Sequence, residues 1–166
     1  MQLQLIPLDR PNLDWLEHNA RENMDKGTIE SQEVHHLIVD ILVQSRQLQE
    51  SANASPPWVG YLAFDPAMNG IVGTCSFKSP PSEEGEVELA YFTFPQFEGK
   101  GYATAMANQL VSLALSRPGM NRVVAHTQPE ETTSAHILEH LGFVCEGEVE
   151  NIEDGVAWRW AKGREA

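Results

Sequence analysis

Only two cysteines occur in the 166 residues, Cys75 and Cys145, and no Cys-x-x-Cys or Cys/His ligand spacing accompanies them. Neither a disulfide framework nor a structural zinc site is therefore expected, and two half-buried free thiols in a reducing compartment fit better. Positive charge is scarce as well. Eleven lysines and arginines stand against 24 aspartates and glutamates, for a net charge of −13. Such a field repels polyanions, so nucleic acid and anionic membrane are not expected as partners. No uncharged apolar run approaches the length of a membrane span. The opening Met1-Gln2-Leu3-Gln4-Leu5 lacks the basic region and apolar core of a signal peptide, so a soluble, cytoplasmic chain is expected. Repeats and low-complexity blocks are absent from the sequence too.

What is present is an ordinary globular mixture, 42% hydrophobic, with glycine and proline scattered. The length fits one domain spanning residues 1–166, large enough to bury about two-thirds of its unfolded surface without a metal or disulfide. A first strand is read at residues 3–8. A helix then starts at Asp9-Arg10-Pro11-Asn12 and carries Leu13, Leu16 and Ala20. Val34, Leu37, Ile38, Ile41 and Leu42 repeat at helical spacing and predict a second helix over residues 28–49. Residues 58–64, 70–78 and 86–94 read as three strands with short turn-rich links, hence an antiparallel meander. On the third of these, Glu88, Ala90 and Phe92 share one face, and Val87, Leu89 and Tyr91 the other.

A helix over residues 102–116 follows, with Ala103, Met106, Ala107, Leu110 and Ala114 as its buried stripe. Residues 121–127 read as a strand. Thr132 or Thr133 then caps a short helix lined by Ser134, Ile137, Leu138 and Leu141, and Gly142 ends it. Residues 143–149 and 156–160 form a closing hairpin. The order β-α-α-β-β-β-α-β-α-β-β makes a mixed α/β (α+β) domain.

The most informative stretch is Gln96-Phe97-Glu98-Gly99-Lys100-Gly101-Tyr102-Ala103-Thr104, between a strand and a helix. A helix N-terminus presents unpaired N–H groups and partial positive charge, and glycines let a phosphate approach the backbone closely. Lys100 adds a cation, so a pyrophosphate can be held here even in an acidic protein. A P-loop would need Ser or Thr after the lysine, where Gly101 stands. A dinucleotide fingerprint would need a βαβ unit, and a meander precedes this loop.

Gln96-x-x-Gly99-x-Gly101 resembles the Gln/Arg-x-x-Gly-x-Gly/Ala signature of the GNAT superfamily of acetyltransferases. Val87-Glu88-Leu89-Ala90-Tyr91-Phe92, with Pro95, looks like the fourth strand of its ribosomal-protein-acetyltransferase-like branch, and residues 134–143 are similar to that branch's Ser-x-x-x-Leu-Glu-Lys-x-Gly-Phe. The resemblance covers residues 86–143 in three ordered blocks. It implies the GNAT fold, a mixed, mostly antiparallel sheet flanked by helices and splayed between its fourth and fifth strands. It also implies transfer of an acetyl group from acetyl-CoA to an amine. The rival it leaves open is a non-catalytic module of the same fold that binds acyl-CoA as a sensor or interaction surface.

By the same resemblance, the amides of Gln96 to Thr104 hold the coenzyme's pyrophosphate, and Phe92, Thr93 and Phe94 pair with its pantetheine arm. Glu88 is the first candidate for general base, acting through a water, with His126 on the adjacent strand as the second. Ser134 matches a position near the pantetheine and the leaving thiol, unless its hydroxyl caps the helix instead. His136 and His140, at i and i+4, lack an evident third metal ligand. Two departures stand out. Glu131 replaces an asparagine common in the family and would repel phosphates if turned towards them. Leu138 occupies the place of the tyrosine that many members use as a general acid, leaving Tyr91 as an alternative on the strand face opposite Glu88. Glu83, Glu84 and Glu86 form an acidic cluster beside the meander, read as a solvated loop. Trp158 and Trp160 share a face of the last strand and are read as a possible homodimer surface.

Overall fold

The computed structural model describes residues 2–25, 32–151 and 155–164. Its elements run in the expected order: β1 (Gln4–Pro7), α1 (Arg10–Asp25), α2 (Gln32–Ala52), β2 (Gly60–Asp65), β3 (Gly70–Phe77), β4 (Glu86–Thr93), α3 (Tyr102–Leu115), β5 (Arg122–Thr127), α4 (Thr133–His140), β6 (Val144–Asn151) and β7 (Gly155–Gly163). A single 3-10 turn, Pro95–Phe97, stands between β4 and the glycine loop. The predicted start of the second helix, residues 28–31, lies outside the described residues. No helix among them is long and apolar enough to cross a membrane.

Seven strands form one sheet in the order β1-β2-β3-β4-β5-β7-β6. All neighbours are antiparallel except β4 and β5. The closing hairpin is turned so that β7, not β6, lies against β5. That placement puts the apolar strand inside the sheet and the acidic strand, with Glu146, Glu148 and Glu150, at its edge, where exposed charge discourages further pairing.

Alternation along β2 explains the layers. Tyr61 and Ala63 enter one core cluster with Met106, Leu110 and Val111 of α3 and with Ala135 and Leu138 of α4. Leu62, between them, enters a second cluster with Leu13 of α1 and Leu42 of α2. The sheet thus carries α3 and α4 on one face and α1 and α2 on the other. Fully burying such an aliphatic side chain contributes about 1.5–3 kcal/mol. The α3 stripe differs from expectation at its rim: Tyr102 and Val111 are buried, whereas Ala103 is half-buried. The cysteines differ too, since Cys75 is buried and Cys145 exposed, both as free thiols. Trp158 and Trp160 pack edge to face, 6.4 Å apart, against the larger core cluster. Trp160 is 7% exposed and donates its indole N–H to Thr127 Oγ1 at 3.0 Å. The core takes up Trp160, while Trp158 is half-buried at its margin.

Helix ends follow local chemistry. Asp9 Oδ1 accepts from the Asn12 N–H at 3.1 Å, capping α1. Thr132 caps α4 by accepting from the Ala135 N–H at 3.2 Å, so Ser134 is not the cap. After α4, the Gly142 N–H reaches the Glu139 carbonyl and the Phe143 N–H that of Leu138, a Schellman ending.

Candidate active site

The parallel pair β4–β5 is registered over three positions only: Glu86 with Arg122, Val87 with Val123, and Glu88 with Val124. Beyond Glu88 the two strands part. β3 goes on pairing with β4 as far as Thr93, so the far half of β4 keeps one neighbour and opens the other edge. The ladder with β3 alternates. The Lys78 N–H bonds the Glu88 carbonyl and the Phe94 N–H bonds that of Val72, so even-numbered residues of β4 face β3. Odd-numbered residues, Tyr91 and Thr93, therefore turn their backbone groups towards the split.

This parity sorts the strand residues expected to meet a coenzyme. Thr93 has its backbone on the open edge, and its Oγ1 is buried without a hydrogen-bond partner. A buried hydroxyl left unpaired is costly, and a hydrogen-bonding group brought against it would relieve it. Phe92 offers an exposed ring instead, 44% accessible. Phe94 is floor, its ring buried, its N–H bonded to Val72 and its carbonyl accepting from Phe97. Tyr91, whose backbone shares the open edge, was not in that set. The meander's hydrogen-bond parity is the signal that finds it.

At the end of this strand, Gly99 and Gly101 have φ of 73° and 84°, in the left-handed region that glycine reaches without strain. Gly101 is the N-cap of α3, with no side chain capping it. A Cβ at Gly99 would meet nothing within 4 Å, so the loop is open above its backbone. The first-turn N–H groups of α3, from Tyr102 to Thr104, have no acceptor within the helix. Lys100 arches over the Phe97 ring at 5.5 Å, its Nζ near the Gln96 carbonyl at 3.4 Å. Gln96 and Glu98 are exposed, whereas Phe97 packs edge to face on Tyr102. The Tyr102 hydroxyl donates to Asp65 Oδ2 at 2.6 Å, a bond that holds the Asp65 carboxyl below the usual carboxylate range. The helix start is thereby anchored to the β2–β3 turn. A pyrophosphate fits this combination of open glycine backbone, unpaired amides and helix dipole.

At the mouth of the split, Glu88 and His126 come together. His126 Nδ1 lies 2.9 Å from Glu88 Oε1, and Lys78 Nζ lies 3.1 Å from the same oxygen. A carboxylate only accepts, so Nδ1 carries the hydrogen, and in the neutral ring Nε2 keeps its lone pair. The side chains are 23% and 14% exposed, sheltered but reachable. Lys78 escaped the sequence reading because it stands just past β3, away from the strand that carries Glu88, yet it lies directly across the β3–β4 ladder from that residue, where opposite charges pair.

A cavity of about 120 Å³ in the split is lined by Glu88, Tyr91, His126, Ser134 and Leu138, among others. The Tyr91 hydroxyl donates to the Ser134 carbonyl at 3.4 Å, and burial raises its pKa. A larger cavity of about 380 Å³ lies between α2 and strands β3 and β4, bordered by Ser45, Leu48, Thr74, Lys78, Tyr91 and Phe92. Cys75 also borders it, but burial pushes this thiol up to about 12, which leaves it inert as a nucleophile. His126, Thr132 and Ser134 further line an outer cavity of about 520 Å³. Glu131 is not among the residues lining these cavities and lies 3.8 Å from His136 Nδ1. No group of three His, Cys, Asp or Glu able to hold a metal occurs among the described residues.

The model of the acetyltransferase (GNAT) domain matches residues 3–144. The chain belongs to the GNAT acetyltransferase family. It is 32% identical over 94 residues to the uncharacterized N-acetyltransferase p20 of Bacillus licheniformis, a match covering 57% of this chain and 49% of that one. The chain thus spans about half the length of that relative. Among solved structures, the spermidine N-acetyltransferase of Vibrio cholerae in complex with CoA and spermine aligns with a TM-score of 0.66 at 20% identity, covering 98% of this chain and 96% of that one. The ribosomal-protein-S5-alanine acetyltransferase of Vibrio fischeri aligns with a TM-score of 0.60 at 22% identity, covering 75% and 69%. At these identities the structural likeness speaks for the fold, which is the GNAT fold expected from the sequence.

Proposed function

We propose that residues 1–166 act as one acetyl-CoA-dependent N-acetyltransferase domain, moving the acetyl group directly to a primary amine of a small molecule or a protein N-terminus. The observation that carries this reading is the shared cavity at the β4–β5 split, where Glu88, His126 and Ser134 meet. The glycine loop lies beyond the open end of β4, so one extended ligand can reach both.

The coenzyme's pyrophosphate would lie on the amides of residues 99–104, and its pantetheine arm along Thr93 and the ring of Phe92. The incoming amine must lose a proton. His126 is the better base, because Glu88 holds Nδ1–H and so leaves the Nε2 lone pair to take a proton. Glu88 is then an orienting carboxylate, which reverses the order in which the sequence ranked the two. The amine nitrogen attacks the thioester carbon, and the open-edge N–H of Tyr91 is available to the oxygen that gains charge. Cys75 is inert and Cys145 lines none of the three cavities, so no acyl-cysteine step is invoked and transfer is direct. Ser134 contributes its hydroxyl to the wall where the thiol departs. Two free cysteines agree with a reducing, cytoplasmic setting.

The test is release of coenzyme A thiol from acetyl-CoA across a panel of polyamines, simple alkylamines and peptide N-termini. Amine-dependent release with at least one class is expected. Acetyl-CoA binding with no release on any amine would overturn the transferase reading in favour of a coenzyme-binding module.

A further inference from the structure

Transfer of an acetyl group leaves a thiolate that needs a proton, and the α4 position that could carry a phenol holds Leu138, 1% exposed. We propose that Tyr91 of β4 supplies that proton. This inference rests on the transferase reading above and names a catalytic group for it.

Three observations lead to Tyr91. First, its place on the strand is beyond the last registered β4–β5 pair, Glu88 with Val124, so no β5 neighbour covers it. Second, its side chain leaves β4 on the face opposite Glu88, and its hydroxyl reaches Ser134 at the start of α4. Proton removal and proton delivery then occur on opposite walls of one cavity, to which both residues contribute. Third, Tyr91 borders the 380 Å³ cavity as well as the 120 Å³ one, so it stands at their junction. Of the other residues around the smaller cavity, Leu89, Ala90, Ala125 and Leu138 carry no transferable proton. Lys78 is paired with Glu88, and the Ser134 hydroxyl is a far weaker acid than a phenol. Burial raises the pKa of Tyr91 and keeps its proton in place until the thiolate forms.

The step balances. The N–C bond forms, and the C–S bond breaks with its electron pair left on sulfur. Sulfur takes the phenolic proton, His126 takes the proton of the amine, and both residues exchange with solvent. Amine and thioester become amide and thiol.

The experiment compares the wild-type chain with Tyr91→Phe and with fluorinated tyrosines placed at position 91. For Tyr91→Phe, kcat should fall about 100- to 10,000-fold at unchanged acetyl-CoA affinity and melting temperature, the size expected for losing a general acid. In the fluorotyrosine series kcat should rise with phenol acidity for as long as the phenol stays protonated. Full turnover by Tyr91→Phe would overturn the proposal. So would a loss in that variant together with a flat fluorotyrosine series, because a purely structural hydroxyl does not sense acidity. A wild-type chain that binds acetyl-CoA and turns over no amine would remove the transferase reading itself, an outcome visible before any variant is made.

Discussion

The two ends of the β4–β5 pair are built from the same strands and do opposite things. At the closed end, Glu86 bonds Arg159 at 2.6 Å and lies 3.5 Å from Arg122, while Arg122 reaches Glu146 at 2.6 Å. Arg159 also pairs with Glu146, so four charges from four strands lace the sheet shut. Gly85 completes the closure, since its carbonyl accepts from both Asn121 and Arg122. At the open end, Tyr91 and Thr93 have no β5 partner and a buried hydroxyl waits unpaired. Charge at the closed end is paired within the protein, whereas at the open end the edge backbone of Tyr91 and Thr93 and the Thr93 hydroxyl are left for something else. A split of this kind is a site because its other end is held closed.

The first way to break the comparison is at the open end. His126→Gln should lower kcat about 100- to 10,000-fold, the range for a lost general base, while melting temperature stays within a degree or two. Steady-state kinetics beside a thermal melt checks both halves. A parallel collapse in stability would make His126 structural.

Next in size is the hinge of the closed end. Gly85 has φ of 74°, and a Cβ there would lie 2.0 Å from the Gly119 carbonyl oxygen. Gly85→Ala should destabilise the fold by about 3 kcal/mol, combining left-handed strain with that backbone clash. Urea unfolding measures it, and a midpoint like that of the parent would refute the close approach.

A smaller effect separates fold from ligand. Thr93→Val removes a hydroxyl that has no partner in the protein, so stability should hold or rise slightly. Acetyl-CoA affinity should fall roughly fivefold, corresponding to about 1 kcal/mol for one hydrogen bond. Calorimetric titration decides, and unchanged affinity would mean the hydroxyl serves no ligand. The smallest effect belongs to the charge lattice. Arg122 is 41% exposed, and Arg122→Gln should cost less than about 1 kcal/mol, with kcat unaltered.

Both ends differ in how far the sequence revealed them. The glycine loop and the two faces of β4 were legible, because period and spacing act within a strand or turn, whereas Glu88 and His126 were named only as separate candidates and their contact was not foreseen. The insertion of β7 between β5 and β6 was not, since hairpin strands can dock either way round and only side-chain burial decides. Lys78 and the four-charge lattice were missed for a related reason. They join residues far apart in the chain, and only the register of separate strands brings them together. Ser134 was ambiguous because it sits two residues after Thr132, and either hydroxyl can cap a helix. Only the geometry of the first turn assigns the cap.

The central claim is that the split and the glycine loop form one site for acetyl-CoA, and thermal denaturation with acetyl-CoA, CoA, ATP or NAD tests it most directly. A ligand that binds only the folded chain stabilises it by about 2.7 kcal/mol at 100 times its Kd. For a chain of this size that is a rise of roughly 5–10 °C. The account predicts that rise with acetyl-CoA and with CoA, and none with ATP or NAD at matched concentration. No shift with either coenzyme, or an equal shift with ATP, would contradict it.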